Sequence, residues 1–516
     1  MKPIPDSRLV RCAAAAATTI VFALPLSAQT PAAPPPAAAP PTAQVSCDID
    51  NSKPQSITRA TFSLTRAQAA QKTGSPLKDL KDVIGALNSA GYKDENPTAR
   101  AYLLGQAYVM LLEQPDIQPI VPRASIGMAS DPTGTIDLFA AADSMWRVVE
   151  AVSPGCATLA QQWRQQKAWM NTTNAAINAL NANKLDSADL LARRSLLLDR
   201  KAPYAYSIIA NVAKNKKDYN TANEYWEKTL EAAGTDTSFN DIRERTLYDI
   251  ASTATLRAEA ASAAEKKTLA RSVIDAWNAL FAGTTDDLQR SFAVQQMAKY
   301  YVIAGDSASL TKVYAPIAAN PSQYGEQTLM QAGVVASQAK RPADAAKIFN
   351  AVLAANPYQR DALNNLAASY IFTNDYEKVF PLVTRLTDLD PSNPDNWMLN
   401  AYSYAGLLKA HKTGPLNKQY TDSLVYYSGK ADKMLVKVTI TEFTRSADGT
   451  TLAGSIENKG AAAKTYNLSV DFLDKSGQVL GTETTSVGPV APKGSKEFRI
   501  KSAKTGVVAF RYKPVM

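Results

Sequence analysis

Arg341-Pro342-Ala343-Asp344-Ala345 and, 34 residues later, Asp375-Tyr376-Glu377-Lys378-Val379 open two segments that continue alike. Phe349, Val352 and Pro357 follow the first, and Val383, Leu386 and Pro391 stand at the matching places after the second. The same interval of 34 separates Lys184-Leu185-Asp186-Ser187-Ala188 from Asp218-Tyr219-Asn220-Thr221-Ala222. A fixed period of this length means a solenoid, in which each unit buries its apolar face only against its neighbours. Such an array presents a long curved surface and rarely carries a catalytic pocket.

The unit 360–393 shows how one copy works. Leu363, Leu366, Ala367 and Tyr370 fall at spacings of three and four, as do Val379, Val383 and Leu386. Each set occupies one face of a helix. Small Ala367 lets the two helices approach, Asn374-Asp375 makes the turn, and Pro391 stops the second helix because it has no N–H to donate. This arrangement resembles the tetratricopeptide repeat, a 34-residue helix-turn-helix. The template also fits 326–359 (Leu329, Ala332, Gly333, Ala336, then Ala345 and Phe349), 291–325, which is one residue longer, and 203–236 (Tyr206, Ile209, Ala210, Ala213, then Ala222 and Trp226). It fits 169–202 less closely. The stretch 240–290 reads as a pair with longer helices, and a Pro-rich insertion at 114–135 (Pro115, Pro119, Pro122, Pro132) reads as a surface excursion or a functional loop.

The resemblance implies a mainly α fold, a right-handed α-α superhelix over 98–432, preceded by a helical segment at 47–97. In this family the first helices line a groove that takes extended peptides or partner helices. Those positions map here onto Tyr204, Ser207, Asn211 and Lys214; Phe292, Gln295 and Lys299; Gln327 and Met330; Asp361 and Asn364; and Asp395, Met398 and Tyr402. Aromatic, Met and amide groups suit burial of apolar side chains and hydrogen bonding to a peptide backbone. Inter-helix packing is the alternative for each. The family's carboxylate clamp needs basic groups, and Asp395 stands where a base is required, so recognition of chaperone tails is not expected.

Near Lys433 the period changes to two. Val436, Val438 and Ile440, then Tyr466, Leu468, Val470 and Phe472, then Val508, Phe510 and Tyr512 alternate with polar residues, with turns at Asp448-Gly449, Ser476-Gly477 and Lys493-Gly494. Residues 433–516 therefore read as a small antiparallel β-sandwich, which resembles immunoglobulin-like modules of bacterial envelope proteins. Such modules bind, space or cap, and the apolar end of an array calls for a cap.

Lys2, Arg8 and Arg11, the apolar run from Cys12 to Leu26, and Ser27-Ala28 read as a secretory leader over 1–28, or an uncut anchor. A Pro/Ala tether follows at 29–46. The expected location is periplasmic or secreted, with no later transmembrane segment. Cys47 and Cys156 would then meet an oxidising compartment and either pair or remain as two thiols.

The formal charge of +9, from 56 basic and 47 acidic residues well mixed along the chain, suits weak contact with an anionic envelope surface and not nucleic-acid binding. The one histidine, His411, in Lys409-Ala410-His411-Lys412, reads as a solvated helix-end residue; it leaves no His-based triad with a second site and no HExxH zinc motif, and the sequence carries no Gly-rich phosphate loop. The expectation is a scaffold with no catalytic, cofactor or metal site, holding a protein or peptide partner in envelope assembly or secretion. The alternative is a cell-wall or glycan binder that uses the β-module as its head and the solenoid as spacer.

Overall fold

The structure, a computed structural model, describes residues 47–515 except 48, 51, 90–95, 130, 412 and 447. The leader and tether expected at 1–46 lie outside the described residues. The chain divides into two compact units, with the division after Thr253, inside one helix.

In the N-terminal unit, helices α1 (Gln55–Thr73), α2 (Leu77–Leu87) and α3 (Pro97–Leu112) precede a short hairpin, β1 (Ile120–Pro122) with β2 (Thr135–Asp137), and α4 (Leu138–Val152). Asn96 caps α3 through Ala99 N–H at 3.0 Å, with Pro97 in the first turn. Trp146 of α4 is fully buried against Gly105 of α3, where a Cβ would lie 2.8 Å from the indole. The 114–135 insertion is largely exposed, as a surface excursion would be, but is anchored at its middle. Ile126 is fully buried, and Gly127, at φ 95°, packs on the Lys81 backbone of α2.

Next come α5 (Ala157–Arg164) and two regular pairs, α6 (Lys167–Asn181) with α7 (Leu185–Leu198) and α8 (Tyr204–Asn215) with α9 (Tyr219–Ala233). Cys47 and Cys156 are joined, sulfurs 2.00 Å apart, across 109 residues of chain. Beside the bond, Arg164 pairs with Asp143 (3.3 Å) and Glu150 (2.8 Å) and donates to the Leu198 carbonyl at 3.0 Å, tying α4, α5 and α7.

The C-terminal unit begins in the last turns of α10 (Asn240–Ala260). It continues through α11 (Ala263–Gly283), α12 (Asp287–Ala304), α13 (Leu310–Ala319), α14 (Glu326–Gln338), α15 (Pro342–Ala355), α16 (Arg360–Thr373), α17 (Val379–Leu389), α18 (Pro394–Ala410) and α19 (Asn417–Asp432).

One local device marks the regular pairs of both units. Asn183, Lys217, Gly305, Lys340 and Asn374 all have left-handed φ, between 55° and 78°. The next residue's N–H reaches back to a carbonyl at the end of the first helix in each case: Lys184 to Ala179, Asp218 to Ala213, Asp306 to Tyr301, Arg341 to Ala336 and Asp375 to Tyr370, at 2.8–3.0 Å. This is the Schellman ending, which satisfies orphan carbonyls and reverses the chain within two residues. The close approach that follows also needs small residues: a Cβ on Gly333 would meet the Phe349 ring at 2.5 Å. The helix pairs are thus of tetratricopeptide type.

Strands β3 (Val436–Ser446), β4 (Gly449–Asn458) and β7 (Ser495–Ser502) form one antiparallel sheet; β6 (Val479–Val490), β5 (Lys464–Leu473) and β8 (Ala509–Tyr512) form the other. Val438, Leu452, Ile456 and Ile500 of the first face Leu468, Val470, Phe472 and Phe510 of the second in one core. The sandwich does not cover the last helix. Val425 and Tyr426 of α19 each remain 60 % exposed. It docks instead along the edge where second helices end and first helices begin, and Leu473 and Ala509 join the core of α16–α18. A cap over the open end would leave this edge free, so the expected position is corrected.

Candidate functional site: the first-helix face

The first helices α12, α14, α16 and α18 are successive neighbours in the C-terminal unit, so their outward residues form one face. Phe292, Gln295, Gln327, Met330, Asp361, Asn364, Asp395 and Met398 are all partly exposed on it, and Lys299 is about half exposed. Val302, 53 % exposed, and half-buried Val334 continue it. Tyr402 does not contribute, being buried among Leu399 and the α16–α17 core.

One rim of this face is closed by the β-module. Lys437 pairs with Asp395 at 2.7 Å and Arg445 with Glu326 at 3.0 Å, so β3 runs along the starts of α18 and α14. Asn356 donates to the Val508 carbonyl at 3.1 Å and Val515 N–H to Ser392 Oγ at 2.8 Å. At the centre, buried Asp390 accepts from Arg360 at 3.3 Å and from the Tyr512 hydroxyl. Burial and the facing Asp390 carboxylate push the Tyr512 hydroxyl well up from its ordinary value. Arg360 also holds Asp361, which turns that groove candidate toward the edge. The other end of the face is charged too. Glu259 accepts from Lys266 (2.6 Å), Lys299 (2.6 Å) and Tyr300 (2.9 Å), and these donors, Lys266 first, bring its pKa down to about 2.

The corresponding positions of the N-terminal unit are taken up internally. Tyr204 and Ser207 are buried, Tyr204 with its ring 5.9 Å from Phe239 and 6.4 Å from Trp169. Asn211 donates to the Ser207 carbonyl and Lys214 pairs with Asp249 at 2.8 Å. These four pack or pair and do not present an open lining.

A second cleft, of about 570 Å³, lies at the opposite edge, between the Asn374–Lys378 turn and the end of α18, with Tyr376, Glu377, Lys409 and exposed His411 on its wall. Its carboxylate Asp375 is paired with Lys378 at 3.0 Å. Among the described residues no group of three or more His, Cys, Asp or Glu could hold a metal, and no helix is long and apolar enough to cross a membrane. The sandwich aromatics Tyr466, Phe472, Phe498 and Tyr512 are all core, 0–6 % exposed, and do not form an outward row for stacking sugars. Sequence reasoning missed the closed rim because Lys437, Arg445 and Tyr512 belong to another period.

No family model matches the chain, and no curated protein sequence matches it. Solved structures do. A tetratricopeptide repeat protein from Parabacteroides merdae aligns over 50% of this chain and 98% of its own, at 11% identity and a TM-score of 0.25. YrrB, described as a TPR protein with an unusual peptide-binding site, aligns over 50% and 97%, at 18% identity and a TM-score of 0.21. Yeast Tom70 aligns over 75% and 76%, at 10% identity and a TM-score of 0.21. The repeat class rests on the turns and spacings of this chain itself.

Proposed function

We propose that the chain is an exported, non-enzymatic scaffold, periplasmic or secreted, that holds a peptide or protein partner in the groove of its C-terminal repeats and serves envelope assembly or secretion. The single observation that carries the reading is the open first-helix face, where Gln295, Gln327 and Asn364 alternate with Phe292, Met330 and Val334. Amides at such a spacing take the backbone of an extended chain, and the adaptable Met and aromatic surfaces take its side chains. Export is supported by the leader-like pattern of 1–28 and by the Cys47–Cys156 disulfide, a kind of bond that oxidising compartments favour.

A photo-crosslinking residue at Met330 is expected to capture one partner in cells, whereas the same residue at Lys347, exposed on α15, captures none. Equal capture at both places, or none at Met330, overturns the reading.

A further inference from the structure

The charge of this chain is concentrated in its last module. Residues 433–516 hold 13 of the 56 Lys and Arg but 7 of the 47 Asp and Glu, which leaves +6 of the formal +9 on the sandwich. Lys437, Arg445, Arg499 and Arg511 are paired with Asp395, Glu326, Glu442 and Asp471. Five of the other lysines meet at one end of the fold.

The backbone shows why they meet. Lys459 N–H donates to the Leu435 carbonyl at 2.8 Å, which brings the turn after β4 onto the start of β3 and close to Lys433. Lys493 N–H donates to the Asn458 carbonyl at 2.7 Å, which brings in the turn after β6. Lys464 lies opposite Val490 and Lys496 opposite Ile456 in the ladders. Asn458, 1 % exposed, knits the three segments, its amide donating to the carbonyls of Ala462 (2.8 Å) and Val490 (2.9 Å). All five lysines are exposed, and none forms an ion pair among the described residues. Lys464 lies over the Tyr466 ring and Lys496 Nζ is 3.5 Å from the Gly488 carbonyl. Leu435, whose carbonyl takes the Lys459 N–H, is itself 69 % exposed, and Ala461, Ala462, Ala463, Ala491 and Pro492 of the two turns are exposed as well.

Cations alone would suit any polyanion. A leucine held out among them suits a boundary that offers anions and hydrocarbon together. We propose that this end of the β-module docks on an anionic phospholipid surface, with Lys433, Lys459, Lys464, Lys493 and Lys496 against headgroups and Leu435 at the acyl boundary. The contact is independent of the first-helix face.

The test is co-sedimentation of the full chain with vesicles of phosphatidylcholine alone and with about one third phosphatidylglycerol. A hydrophobic leader would bind both alike, so the readout is the ratio between them. At roughly 1 kcal/mol per lysine near such a surface, the triple variant Lys459→Ala, Lys493→Asn, Lys496→Ala should lower that ratio on the order of a hundredfold. Asn is chosen at 493 because it tolerates the φ of 60° there. Leu435→Ser should weaken binding several-fold at unchanged charge, and 0.5 M salt should abolish the preference. Unchanged melting temperatures would show that both variants fold. The proposal is overturned if the chain shows no preference for anionic vesicles, if the triple variant keeps it, or if Leu435→Ser leaves vesicle binding intact while dextran sulfate is bound equally well, which would assign the site to a soluble polyanion.

Discussion

The pairs α6–α9 in the N-terminal unit and α14–α18 in the C-terminal unit share a 34-residue period and the same left-handed turn, yet their first-helix faces have opposite fates. In the first, Tyr204 is buried against Trp169 and Phe239, and Lys214 is held by Asp249. In the second, Gln327, Met330, Asn364 and Met398 stay partly exposed, and only the rim is closed, by Lys437 and Arg445 of the β-module. A repeat therefore fixes how a pair is built, while the side chains of the adjoining repeats decide whether its face is open and a distant module closes its rim.

The largest test removes the covalent tie that only the N-terminal unit has. Cys47→Ser with Cys156→Ser should cost about 4 kcal/mol on the chain-entropy argument for a long loop. A separate early transition in urea, with the C-terminal unit melting where it did before, is the expected result; one unshifted transition would show that the bond adds nothing.

Asp390→Ala should cost about 3 kcal/mol, because it leaves Arg360 and the Tyr512 hydroxyl without their shared buried acceptor. The readout is faster proteolysis in the β-module, and an unchanged digestion pattern would show that the docking does not need this cluster.

The faces themselves are compared by Tyr204→Ala and Met330→Gln. The buried ring should cost about 3 kcal/mol and the half-exposed Met less than about 1, whereas crosslinked partner should fall only for Met330→Gln. The reverse pattern would exchange the roles assigned to the two faces.

Glu259 provides a pH test. Its folded pKa of about 2 lies below the usual 4.5, so it favours folding above pH 4.5, and that contribution disappears as pH falls toward 2. Because the carboxylate is 38 % exposed, the effect is about 1 kcal/mol or less. Glu259→Gln should flatten the melting temperature across that interval, and an unchanged slope would remove Glu259 from the account.

The smallest effect is expected at the turn common to both units. Lys340→Gly relieves a left-handed lysine at φ 57° and should stabilise by about 0.5 kcal/mol, since glycine's added freedom in the unfolded chain offsets part of the gain. A loss of stability would show that the lysine side chain matters there.

Much of this could be read beforehand. The apolar spacings at Leu363, Leu366 and Tyr370, the turn at Asn374 and the alternation from Val436 onward concern neighbours within one or two turns, and each appears as a helix, turn or strand in the structure. The 114–135 insertion was legible only as a break in the pattern, because the burial of Ile126 depends on its approach to α2. The edge docking of the β-module left no trace in either period, since Tyr512 meets Asp390, and Val508 meets Asn356, across more than a hundred residues.

The sequence by itself determined the helix pairs and the strands, because period, turn chemistry and small-residue positions act over short stretches of chain and recur. Only the tertiary structure decided which face stays open, which rim is closed, and which lysines meet around Leu435. Those outcomes are set by contacts between segments that no local rule brings together.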